Sequence, residues 1–66
     1  MTAWERRIDG LIRDATMASF LGSRACVEAE CGNEELAYHL ARMSWKWATW
    51  AAEDAERLSA WLEVAR

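Results

Sequence analysis

Cys31-Gly32-Asn33-Glu34-Glu35 is the stretch on which the fold turns. Glycine suits the left-handed position that ends a helix, and asparagine is a favoured residue at the start of the next. Glu34 and Glu35 then fall in a first helical turn, where carboxylates face the positive end of the helix dipole. The 66-residue chain has no proline and no other comparable break. The pattern predicts a helix over about 2–30, a turn over 31–33 and a second helix over about 34–64.

Working outward from that break, each arm carries apolar and small residues in alternating steps of four and three, the spacing of one helix face. In the first arm they are Trp4, Ile8, Leu11, Ala15, Ala18, Gly22, Ala25 and Ala29; in the second, Ala37, Ala41, Ser44, Ala48, Ala51, Ala55, Leu58 and Leu62. A fold-back at Asn33 pairs the two rows along their whole length, Ala29 with Ala37, Gly22 with Ser44 and Trp4 with Leu62. The expected fold is all-α: an antiparallel two-helix hairpin forming a single domain, with an alanine-rich seam.

Such a seam buries little. At ~0.8 kcal/mol per buried methylene it does not offset backbone ordering at ~1–2 kcal/mol per residue. Chains of this size therefore lean on disulfides, metal or association. Cys26 and Cys31 lie five apart with diverging side chains, which argues against a disulfide, and Cys26 reads as a buried, inert thiol. One histidine, His39, and two cysteines at no ligand spacing argue against a zinc site, and no cofactor is implied. Association remains.

The remaining apolar residues supply the surface for it. Leu36, Leu40, Met43, Trp47, Trp50 and Trp61 form a second stripe beside the seam, with Leu21 and Met17 on the same side. A patch this wide predicts closure against a second copy as a homodimer, giving a four-helix bundle. Asp54 interrupts the stripe, read either as a half-wet carboxylate held by Arg57 or an arginine of the second subunit, or as a buried contact fixing dimer register. Tyr38, Arg42, Trp45 and Thr49 run along another side of the second helix with Ala52, and Val27, Ile12 and Thr16 of the first, with Phe20 nearby, are assigned to them. Tyrosine, tryptophan and arginine dominate binding hot spots, so this group is the candidate partner face; which aromatic face serves which purpose stays open.

Catalysis lacks its parts. His39 projects away from Cys26, and Ser23 and Ser44 have no triad-like surroundings. Glu28, Glu30, Glu34, Glu35, Glu53 and Glu56 read as a solvated surface without inward pairing. A net charge of −3 with both signs interspersed along the chain gives no basic stripe for nucleic acid. No segment has the length of a membrane span or signal peptide, so the expected location is the cytoplasm.

Tyr38-His39-Leu40-Ala41-Arg42-Met43-Ser44-Trp45-Lys46-Trp47, in a two-helix chain of this length, resembles the small anti-activator proteins of Mu-like Pseudomonas phages. Members of that family are dimeric helical hairpins made early in infection. They inhibit the quorum-sensing activator LasR by binding its DNA-binding domain, and PilB, the assembly ATPase of type IV pili. The resemblance implies a protein that acts in the host cytoplasm, with Tyr38, Arg42 and Trp45 meeting a LasR-like or PilB-like target and covering its working surface. The alternatives are another phage or plasmid interaction protein, such as an anti-CRISPR or antitoxin-like inhibitor, a small DNA-binding regulator, and a purely structural phage or membrane-associated helix pair.

Overall fold

The computed structural model describes residues 2–65, and of Ala65 the backbone alone. Two helices, α1 (Ala3–Glu30) and α2 (Glu34–Ala65), lie against each other with no strand among the described residues. At the start of α1, Thr2 is extended and its Oγ1 accepts the Glu5 backbone N–H at 3.1 Å. That satisfies one of the donors a helix start leaves open.

The turn closes as the glycine requires. Gly32 has φ +85°, its N–H donates to the Ala29 carbonyl, and the Asn33 N–H reaches back to the Glu28 carbonyl at 2.9 Å. This pair of bonds satisfies carbonyls that the end of α1 would otherwise leave bare. The Asn33 carbonyl accepts the Ala37 N–H, which begins the α2 ladder. Its side chain is engaged elsewhere than at the cap: Nδ2 donates to Glu28 Oε2 at 2.7 Å, while Arg24 Nε donates to Glu28 Oε1 at 3.2 Å. Glu28 is thus buried and doubly held, where a solvated position was expected. The carboxylate accepts a bond on each oxygen, and this makes its burial tolerable.

Most of the α1 seam and half of the α2 seam lie where the spacing predicts. Trp4, Ile8, Leu11, Ala18, Gly22 and Ala25 of α1, and Ala37, Ser44, Ala51 and Leu58 of α2, are buried or half-buried. The remainder differs by one residue in the same sense on both helices. Asp14, Leu21 and Glu28 turn inward while Ala15 and Ala29 are exposed. On α2, Leu40, Trp47 and Asp54 are half-buried while Ala41, Ala48, Ala55 and Leu62 are exposed. Rotating each helix this way trades alanines for Leu21, Leu40 and Trp47, whose side chains remove far more apolar area from water. The pairing along the hairpin stays within a residue of the expected register: Trp4 meets Trp61 with ring centroids 6.4 Å apart, and Gly22 faces Ser44.

At that last point the helices come closest in chemical terms. Ser44 Oγ donates to the Ala18 carbonyl at 2.7 Å, a bond between the helices. A Cβ built on Gly22 would stand 3.2 Å from the same Ser44 oxygen. The interior acids are paired within the chain: Asp54 with Arg57 at 3.3 Å, and the buried Asp14 with Arg13 at a longer 3.7 Å. For Asp54 this matches the reading of a half-wet carboxylate held by Arg57.

The result is a thin slab, 51 × 20 × 12 Å. Its radius of gyration of 15.1 Å exceeds the ~11 Å of a compact chain of this length. Its accessible surface of 5150 Å² exceeds the ~4300 Å² usual for this mass. Among the described residues the buried apolar ones are Leu21, Ala25, Ala37, Ala51 and Leu58, and no large side chain is fully enclosed.

The glycines give a direct test in chemical denaturation. A methyl group on Gly10 would meet nothing within 4 Å, so Gly10→Ala gains ~1 kcal/mol of stability. Gly22→Ala forfeits that gain against the tethered Ser44 hydroxyl, and Gly32→Ala costs ~1–2 kcal/mol at its left-handed φ. Equal effects at the three positions would contradict this packing. A second test is acid. Hydrogen bonds from Asn33 and then Arg24 hold the Glu28 carboxyl below its ordinary value of 4.5. Its contribution is therefore complete above that pH and is lost as pH falls through the lower folded value. Glu28→Gln removes that part of the acid unfolding profile; an unchanged profile would show the turn lock to be inert.

Candidate protein-binding faces

A two-layer hairpin has two broad sides and two edges. Side chains one position outside the seam on matching flanks of antiparallel helices share a broad side. On the first broad side α2 presents Leu36, Met43 and Trp50, one above the other at intervals of seven, and α1 presents Met17. Leu36, Met43 and Trp50 are each close to half exposed, and Met17 is half-buried. Trp50 is braced edge-on by Trp47 at 5.1 Å and 82°. Phe20 and Val27 project from α1 toward this same side and are exposed.

The predicted self-association stripe is therefore divided. Leu21, Leu40 and Trp47 are taken inside the hairpin, and Trp61 is engaged with Trp4 at the open end. Leu36, Met43, Trp50 and Met17 are left facing outward. The predicted partner group is divided too. Tyr38 and Trp45 project toward the second broad side, away from Phe20 and Val27, with which they had been grouped. The reason is again the rotation of the seam, which carries Val27 and Phe20 to the other side and leaves Ile12 of the expected group beside Tyr38.

On the second side the aromatic pair is organised by the residues between them. Arg42 Nη1 donates to the Tyr38 hydroxyl at 3.4 Å, and its Cζ lies 5.8 Å from the Tyr38 ring centroid. The cation is thereby drawn over a π face, which attracts it and fixes both side chains. Thr49 Oγ1 donates to the Trp45 carbonyl at 2.9 Å, turning its hydroxyl inward to the helix. Trp45 is 69% exposed. Between the aromatic residues and the seam lie the exposed alanines 41, 48 and 55 of α2 and 15 and 29 of α1, with Ile12 on the far helix.

Charge is partitioned in space although it is mixed in sequence. Arg6, Arg13, Arg24, Lys46 and Arg57 all project from the first broad side, where Glu53 is the one exposed acid among the described residues. Arg13, Arg24 and Arg57 are occupied with Asp14, Glu28 and Asp54 of the seam. Glu5 and Glu34 project toward the second side, while Asp9, Glu30, Glu35, Glu56 and Glu63 run along or near the outer edges between the two broad sides. Arg42 is the one base described there. A linear count cannot reveal this, because neighbours in sequence project 100° apart on a helix.

Cys26 and Cys31 are free and exposed, Cys26 contrary to expectation because the residue beside it, Ala25, takes the seam. The described residues hold no cluster of three or more histidine, cysteine or acidic side chains able to bind a metal ion. No described helix is long and apolar enough to cross a membrane. In comparisons with family models, curated proteins and solved structures, the chain matches none.

Proposed function

We propose that this chain is a protein-binding inhibitor, not an enzyme, that covers a working surface of a host bacterial protein with the side carrying Tyr38, Arg42 and Trp45. One observation carries the reading: a tryptophan that is 69% exposed stands beside a tyrosine already locked by an arginine, on a rigid helix. Fixed aromatic side chains lose little rotamer freedom on binding, so more of their contact energy is kept as affinity. Exposure at this cost in solvation is a poor arrangement for a surface with nothing to meet.

The proposal includes a homodimer closed as a four-helix bundle through Leu36, Met43, Trp50 and Met17. Stable interfaces take ~800 Å² from each partner, and a side of 51 by 20 Å has room for that. The aromatic pair of the other side stays free in such a dimer. The resemblance of residues 38–47 to phage anti-activators supplies two candidate targets, a LasR-like activator and a PilB-like ATPase. An anti-CRISPR or antitoxin-like inhibitor would use the same surface on a different target.

Capture from a Pseudomonas lysate, with bound proteins identified by mass spectrometry, tests the assignment of faces. Tyr38→Ala and Trp45→Ala lose the captured target by at least about tenfold while sedimenting as the wild type does, since each removes a hot-spot side chain. Met43→Asp and Trp50→Asp instead shift the sedimenting species from dimer to monomer. Capture that is indifferent to Trp45→Ala would remove the functional reading. A wild-type chain that sediments as a monomer at micromolar concentration would remove the dimer.

A further inference from the structure

The first broad side carries a register for a second copy. Resting on the homodimer proposed above, we infer that the two copies lie antiparallel across the side of Leu36, Met43 and Trp50, turn against open end, with Lys46 of each copy paired to the partner's Glu53.

Three observations lead there. The first is position. Gly22 faces Ser44, and this register sets Arg13 level with Glu53, Phe20 level with Lys46, and Met17 within one residue of Trp50. Arg13, Phe20, Lys46 and Glu53 therefore mark the outer corners of the middle of this side, with Met17 and Trp50 between them. Within each helix the corner residues are seven apart, two turns or ~10 Å. A two-fold axis running across the slab through the centre of that rectangle stacks α2 on α2 and α1 on α1 in reverse. It exchanges Lys46 with Glu53 and Arg13 with Phe20, and it brings Trp50 beside Trp50 and Met17 beside Met17.

The second is charge. On α2, Arg57 of this side is taken by Asp54, while Lys46 and Glu53 have no ion pair among the described residues. A reversed copy supplies each with the opposite charge, twice per dimer, at the rim of an apolar contact. On α1, Arg13 is drawn to Asp14 at 3.7 Å and its side chain stays 74% exposed, so the guanidinium is open to the face of the partner's Phe20.

The third is the match at the ends. Reversal sets the exposed Leu36 opposite the partner's Trp61 and Val64, which are exposed as well. Copies running in the same direction would instead place Glu53 against Arg13, which Asp14 already holds, and Trp61 against Arg6. The antiparallel arrangement leaves neither Lys46 nor Glu53 short of a partner and covers both ends of the apolar stripe. Tyr38 and Trp45 of the two copies then face outward from opposite sides of the bundle, which gives one dimer two equivalent target surfaces.

Charge exchange in the full chain, read by sedimentation over a concentration series, tests the pairing. Glu53→Lys and Lys46→Glu each weaken the dimer by at least about tenfold, because each sets two like-charged pairs at the rim. The double variant Glu53→Lys with Lys46→Glu returns to within about threefold of the wild type, whereas Glu53→Lys with Arg13→Glu stays weak. All of these positions are exposed, and the far-ultraviolet spectra stay unchanged. Direction is read separately. A nitroxide on Cys31, with Cys26→Ser, is mixed with isotope-labelled chains that carry no nitroxide, and it broadens the partner's Trp61 and Val64 resonances and spares Gly32 and Asn33.

Rescue by Arg13→Glu in place of Lys46→Glu, or broadening centred on Gly32 and Asn33, would overturn the inference. The two readings fail separately. A dimer that is indifferent to Glu53→Lys, or whose turns lie together, keeps the homodimer and removes this register. A wild-type chain that sediments as a monomer removes both.

Discussion

The hairpin depends on one close contact, the Ser44 hydroxyl donating to the Ala18 carbonyl beside Gly22. A backbone carbonyl inside a helix already accepts one bond, and a second donor reaches it only where no side chain intervenes. Glycine at 22 and alanine at 18 leave that opening, and serine is short enough to fill it. Around this point the larger residues Leu21, Leu40 and Trp47 then close over the seam. The turn acts on the same geometry from one end, since Asn33 and Arg24 anchor Glu28 and so fix how α1 enters the fold-back. With no large side chain fully enclosed among the described residues, polar contacts of this kind take a larger share of specifying the arrangement than they would in a domain with a thick core.

Element boundaries and topology were legible in the sequence because the break at 31–33 combines a left-handed glycine with a fresh helical start, and nothing else in the chain competes. The heptad spacing was legible too, as far as Trp4, Leu11, Ala18, Ala25, Ala37, Ser44, Ala51 and Leu58. The choice between the two flanks of that row was not. Ala15, Ala29, Ala41, Ala48 and Ala55 look like a seam because they are small and regular, while Asp14, Glu28 and Asp54 look like surface because they are charged. Burial went to the flank containing the acids, because that flank also contains Leu21, Leu40 and Trp47. Each acid is compensated by an arginine, Arg13, Arg24 and Arg57, and of these the sequence pointed to Arg57 alone. A carboxylate one turn or less from an arginine on a helix is a weak signal, common on solvent-facing surfaces as well.

The same rotation decides how the candidate faces divide. A shift of one position in the seam carries Val27 and Phe20 to one broad side and leaves Tyr38 and Trp45 on the other. It also draws half of the expected self-association stripe into the hairpin. The aromatic residues of α2 could be recognised as unusual from their types and intervals, but the company they keep depends on the partner helix. Charge behaves in the same way. Mixed signs along the chain suggest a uniformly solvated surface, yet the helices sort Arg6, Arg13, Arg24, Lys46 and Arg57 to one side and most exposed acids to the outer edges. Net charge is a property of composition and is blind to this sorting.

A slab with two apolar sides and almost no interior couples its sides energetically. Anything that binds the folded hairpin and not the unfolded chain stabilises it in proportion to the logarithm of ligand concentration over Kd. For the proposed dimer this means that the twin on the Trp50 side holds α1 against α2, and thereby holds Tyr38 and Trp45 in place on the other. Ordering already imposed by such a dimer does not have to be imposed again when a partner arrives, so on this proposal the second binding event is stronger on a dimer than on a monomer. Thinness, which leaves the single hairpin poorly buried, is also what sets the two sides on the same two helices and makes that coupling direct.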